Sequence, residues 1–194
     1  MADDIPEMAG HPMGDKAARK RFINGSIYFT VPGALAVIAL LYVVLVPPLR
    51  GLEELSARFA LAFRWLFVGM IPYAAVCMTI LSQRFFEGAH NPLAGGESDR
   101  LRIHCRVMQN TLEQLIWLAI CVLALTTFLT PDQMRIVPIA CGFFAVARFV
   151  YWWGYLRSGT LGRAIGVQLT FTLNILLLVV VAVRVARSVV SGGG

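Results

Sequence analysis

At 194 residues the chain could be one soluble domain, but 58% hydrophobic residues, 14% charged residues and a mean hydropathy of +0.70 exclude that. The net charge of +6 comes without a basic helix or an aromatic-interleaved basic patch, so it speaks for membrane orientation and against nucleic-acid binding. The cysteines (Cys77, Cys105, Cys121 and Cys141) form no C-x-x-C and have no histidine at ligand spacing, which argues against a disulfide framework or a zinc site.

In chain order, residues 1–21 are acidic first (Asp3, Asp4, Glu7), then basic (Lys16, Arg19, Lys20, Arg21), and are expected to be a disordered N-terminus. Ile27–Val46 is free of charge and long enough to cross a hydrocarbon core of about 30 Å. It lacks an A-x-A cleavage site, so it reads as an anchor that stays. With its connecting loop it fills residues 22–62.

A second span is expected at about Trp65–Phe86, with Pro72 inside it. The polar stretch Glu87–His104, with Asn91-Pro92 and Gly95-Gly96, reads as the longest loop. The third span is Gln114–Thr130, its helix starting near Ile103 and stopping at Pro131. The fourth is Ile136–Leu156 with Arg148 in its interior, and the fifth is Ala164–Val183. Residues 188–194 are expected to form a flexible tail. No strand-like alternation competes, so the expected fold is an all-α integral membrane bundle of about five transmembrane helices.

A cytoplasmic N-terminus would place Lys16, Arg19, Lys20, Arg21, Arg84, Arg100, Arg102, Arg106, Arg157 and Arg163 inside. Arg50, Arg58, Arg64, Arg135, Arg184 and Arg187 would then lie outside, a bias that agrees with the positive-inside rule. Loops 87–104 and 157–163 share the cytoplasmic side in this reading.

Ionisable residues in or beside apolar spans carry the functional information, because lipid penalises an unpartnered charge by about 3 kcal/mol at a helix centre. Arg106, Asn110 and Glu113, at i, i+4 and i+7, form one polar stripe at the entry of the third span. An interfacial helix start that meets headgroups would have the same residues. Arg148, Tyr151 and Tyr155 form a second stripe in the fourth span. Arg148 lies too deep for an ordinary helix end, and Glu113 is its expected partner. Arg84, Arg157 and Arg163 would ring the same end with anion-binding groups, or serve singly as positive-inside arginines. Cys105 stands among arginines that favour a thiolate, but has no base partner.

At these residues the chain resembles the membrane-associated proteins in eicosanoid and glutathione metabolism, the MAPEG family. Arg106, Asn110 and Glu113 reproduce its R-x-x-x-N-x-x-E stripe. Ala147, Arg148, Tyr151 and Tyr155 match the A-R-x-x-[YH]-x-x-x-Y pattern of its next helix. Residues 155–163 look like its arginine-bearing loop, and Arg84 with Phe85, Phe86 and Asn91-Pro92 resembles the end of its first helix. The similarity covers about residues 63–187, a four-helix core, and the span Ile27–Val46 is extra, reminiscent of the mattrin-like branch.

The resemblance implies a homotrimer in a lipid bilayer that binds glutathione between protomers near the cytoplasmic surface. It implies glutathione contacts from Arg84, Arg106, Asn110, Glu113, Arg148, Tyr151, Tyr155 and Arg157, and thiol activation by Arg163. The implied activity is that of a transferase or peroxidase acting on a lipophilic electrophile. A family member without catalysis, binding a lipid or another membrane protein, is the alternative. The expected location is a bacterial inner membrane, otherwise the endoplasmic reticulum. A transporter fits less well, since no internal repeat or broken-helix pair is visible.

Overall fold

A computed structural model describes residues 16–47, 49–88 and 96–192, which are helical over nearly their whole length and contain no strand. Four helices are long and apolar enough to cross a membrane, and the fold is an all-α membrane bundle. Helix α1 spans Lys16–Leu40 and runs on into a π-helical turn, Leu41–Leu45, that ends just before Pro47. It therefore starts at Lys16 rather than near Ile27. Residues 16–21 are rich in Ala, Lys and Arg, all strong helix formers, and extend the helix into the segment expected to be disordered. The expectation for residues 1–15 lies outside the described residues.

Among the α1 residues whose burial is described, only Ala34 and Ile38 are buried, while Tyr28 and Phe29 are exposed, so α1 is a peripheral helix with most of its described surface facing away from the bundle. It packs chiefly against α4 (Ile136–Val190). Near its start, the Gln168 side-chain amide donates to Ser26 Oγ at 2.8 Å and to the Ile23 carbonyl at 3.2 Å, a polar fastener between otherwise apolar helices.

Helix α2, Leu55–Glu87, begins well before Trp65 and ends at Gly88, whose φ of 66° suits a residue without a side chain. Helix α3 covers Asp99–Phe128. Its start is fixed by Ser98, whose hydroxyl accepts from the Leu101 amide at 3.2 Å. The expected loop 87–104 is correspondingly shorter, and Asn91, Pro92 and Gly95 fall outside the described residues. A short 3₁₀ turn, Pro131–Arg135, leads into α4, which continues past residue 188 into the expected tail.

Drawn straight, the 55 residues of α4 would extend roughly 80 Å, far beyond a bilayer. The helix instead breaks at Ser158 (φ −139°, ψ 22°) and Gly159 (φ 56°, ψ −134°), a conformation that favours glycine. The break leaves two arms, 136–157 and 160–190. They double back on one another: a Cβ on Gly154 would collide with the Gly162 carbonyl, and one on Gly166 with the Tyr151 backbone. Gly162 and Gly166 form a G-x-x-x-G. Between helices in lipid there is no hydrophobic gain on contact, so close backbone approach is what holds such a pair together. The expected loop 157–163 is thus a two-residue corner, with Arg163 already in the second arm.

Two apolar clusters hold the bundle. The larger joins α3 and α4 around Leu118, Val122, Leu125, Phe144 and Leu173, and extends to Ile38 of α1. The smaller, Val76, Ile80, Leu101, Val107, Tyr151 and Tyr155, lies at the end where α2, α3 and the α4 corner meet. At the opposite end Arg58 bonds three carbonyls: Leu52 (2.7 Å), Leu129 (2.8 Å) and Glu53 (2.8 Å). That single side chain ties the start of α2 to the end of α3.

Candidate functional site

The inward face of α3 is His104, Val107, Thr111, Gln114 and Leu118, all buried. The stripe read from the sequence is rotated from it: Arg106 and Glu113 are exposed, and Asn110 lies at the boundary between the two faces. Glu113 Oε1 accepts from Gln109 Nε2 at 3.3 Å, and Arg106 has no hydrogen bond or ion pair among the described residues. Both charges thus sit on the outer surface of the bundle, where α3 also exposes Asp99, Arg100, Arg102 and Gln109 toward its start and Leu112, Ile116 and Ile120, suited to lipid, further along.

Arg148 is 1% exposed and lies between α3 and the first arm of α4. Its Nη2 donates to Thr111 Oγ1 at 2.8 Å and to Asn110 Oδ1 at 3.1 Å, and its Nε donates to Thr111 Oγ1 at 3.2 Å. The guanidinium carbon sits 4.0 Å from the centroid of the Tyr151 ring. Nη1 is buried without a hydrogen-bond partner among the described residues. The expected Arg148–Glu113 pair is therefore corrected. Glu113 projects from the outer face of α3, and the neutral acceptors Asn110 and Thr111, three and two residues before it, hold the cation instead.

Tyr151 and Tyr155 are buried and stack edge to face, 6.0 Å between centroids. Arg163, from the start of the second arm, lies over the Tyr155 ring at 5.0 Å. The α4 corner thus brings Arg163 onto the same tyrosine ladder that begins at Arg148. Arg157 points the other way, over the exposed Trp153 at 5.1 Å, and stands apart from the rest. On α2, Arg84 forms an ion pair with Glu97 at 2.7 Å and lies 4.0 Å from Cys105 Sγ. Its Nε is buried and unbonded. Arg84 therefore faces the start of α3, one residue before Arg106.

Two polar pairs escaped the sequence reading. His104 Nδ1 accepts from Trp152 Nε1 at 2.9 Å, with the rings edge to face. Deeper, the Asn174 amide donates to the Gln114 side chain and carbonyl, both at 3.0 Å. The signal was present, since His104, Thr111 and Gln114 fall at helical spacing. It was masked because the charged stripe beside it is louder.

The polar groups present fit a zwitterionic peptide such as glutathione. Arginine donors (Arg106, Arg84, Arg163 and the unbonded Nη1 of Arg148) suit carboxylates, and Glu113 suits an ammonium group. Comparison with curated proteins and with solved structures gives no match. The MAPEG family model matches residues 59–183, which takes in α3 and most of α2 and α4 while leaving out α1, and the chain belongs to the MAPEG family.

Proposed function

We propose that this protein is a membrane-bound glutathione-dependent transferase or peroxidase acting on a lipophilic electrophile that reaches it from the bilayer. One observation carries the reading: Arg106 and Glu113, charges of opposite sign, lie uncovered on the outer face of α3 beside the buried Arg148–Asn110–Thr111 network. Glu113 lies about 21 Å along α3 from Asp99, deep enough that bare lipid is a poor surrounding for it. A second copy of the chain packed there, with a polar ligand between the copies, would cover both charges. A homotrimer with the ligand at its interfaces is the arrangement we favour, with the N-terminus and the α4 corner on the cytoplasmic side.

Bound there, glutathione would supply a nucleophilic thiol. Arg106 and Arg84 would hold carboxylates and Glu113 the ammonium group, with Asn110 completing the contacts. Arg148, fixed by Thr111 and Tyr151, would set the position of Asn110 and offer Nη1. Tyr155 orients Arg163, whose cation would favour ionisation of a nearby thiol. The non-catalytic reading is favoured by a different observation: Arg148 of the second stripe already bonds Asn110 of the first, and Thr111 beside it.

Calorimetry of the purified chain in mild detergent with millimolar glutathione, followed by turnover with a lipophilic electrophile, separates these readings. Binding is expected to weaken about tenfold in Glu113→Gln, the loss of one charge-assisted contact. Arg163→Ala should slow conjugation more than it weakens binding. No heat and no thermal shift with glutathione would leave the non-catalytic reading standing.

A further inference from the structure

At the end of the bundle away from the stripes, a groove of about 370 Å³ opens between α1, α3 and the second arm of α4. Its walls are apolar, and one of them is α1 with its π turn, which contribute Ile38, Ala39, Tyr42 and Val43. That wall lies wholly outside the family-matched residues 59–183. Tyr42 and Val43 belong to the π turn, in which the Val46 amide donates to the Leu41 carbonyl, five residues back, at 2.9 Å. Such turns widen a helix locally and recur at functional sites.

The rim of the groove is cationic. Arg184 lines it directly, and Arg135 lies over the Tyr42 ring at 4.2 Å with its Nε buried and unbonded. Neither forms an ion pair among the described residues, and Asp132, the nearest acid in sequence to Arg135, is exposed and unpaired. Gln133 also lines the groove. Its Oε1 is taken by the Thr130 amide, which leaves its side-chain N–H groups free to donate. An apolar slot that ends in two guanidinium groups without an ion pair, of which Arg135 donates from Nη1 to the Val46 carbonyl at 3.4 Å, and in an amide donor matches an amphiphile with a hydrocarbon tail and an anionic head.

We propose that this groove is a specific site for one anionic phospholipid, an acyl chain lying between α1 and α4 and the phosphate held by Arg184 and Arg135. On this reading α1 supplies the wall that turns a bare helix surface into a lipid slot. The proposal is independent of whether glutathione binds at the other end.

Native mass spectrometry of the full chain in mild detergent, after exchange into phosphatidylglycerol or phosphatidylcholine, tests it. Wild-type protein should retain one phosphatidylglycerol per protomer, about tenfold in preference to phosphatidylcholine. Arg184→Gln should remove that preference and Arg184→Lys should keep it. Ala39→Trp, which fills the groove from an exposed position on α1, should abolish retention of both lipids. Arg187→Gln, outside the groove, should behave as wild type. Equal retention of the two lipids by wild-type protein would overturn the proposal, as would full preference in Arg184→Gln. A changed subunit number in Ala39→Trp with lipid retention intact would assign the groove to packing between copies instead.

Discussion

Arg58 and Arg148 are both arginines at helix junctions, yet they are treated differently. Arg58 donates from Nε, Nη1 and Nη2 to three carbonyls and uses every nitrogen of its guanidinium. Arg148 is more deeply buried, but it is held by a threonine, an asparagine and a tyrosine face, and its Nη1 is left bare. Carbonyl oxygens in a connection and at a helix end need a donor whatever the protein does, so Arg58, on those of Leu52, Glu53 and Leu129, solves a problem posed by the fold itself. Nothing in the fold requires a cation between α3 and α4. Burying one there is costly, and a donor left unspent makes that cost worse unless something else uses it. The first arginine is a joint, and the second holds capacity in reserve.

Substitution at each can break that distinction. The largest effect is expected from Arg148→Ala, which leaves a cavity and strands Asn110 and Thr111; thermal unfolding in mild detergent should show a loss of about 3 kcal/mol. If the loss is no larger than that of an exposed arginine, the side chain escapes to the interface and the reserve does not exist. Arg58→Ala should cost about 2 kcal/mol through the carbonyls it abandons, with no effect on glutathione binding. A changed glutathione affinity in that variant would erase the difference between the two ends. Asn174→Ala should cost about 1 kcal/mol, and the double variant with Gln114→Ala little more, because the two amides share one interaction inside the bundle. Additive losses would show that each amide has other partners. Arg157→Ala, whose side chain reaches only an exposed tryptophan, should fall within about 0.5 kcal/mol of wild type.

The bundle itself was legible because lipid imposes a coarse code: charge-free runs such as Ile27–Val46 and Ala164–Val183 mark helices by length alone. Helix ends were less legible. Ser98 caps α3 from within a polar stretch that reads as loop, and the Ala- and Lys-rich residues 16–21 join α1 despite their charge. At the site, spacing identified which residues share a face, but not which face turns inward. Arg106, Asn110 and Glu113 do line up, yet the buried row is the neighbouring one through Thr111, and it is Thr111 that receives Arg148. The Arg148–Glu113 expectation failed for that reason: charge complementarity names a possible partner, whereas helix rotation decides who is within reach. The G-x-x-x-G of Gly162 and Gly166 was also in plain view, and its meaning depends on a corner at Gly159 that no spacing rule announces.

That corner governs how the chain enters a membrane. With only Ser158 and Gly159 between the arms, the second arm cannot travel far before it lies against the first, so α4 is delivered to the bilayer as one hairpin. Synthesis runs from the N-terminus, and α3 therefore precedes it. When Arg148 leaves water, at a cost of roughly 3 kcal/mol for a lone arginine at mid-depth, Asn110 and Thr111 are already lodged beside its path. The order of the helices along the chain thus works as an insertion schedule, in which the acceptors are installed before the cation that needs them.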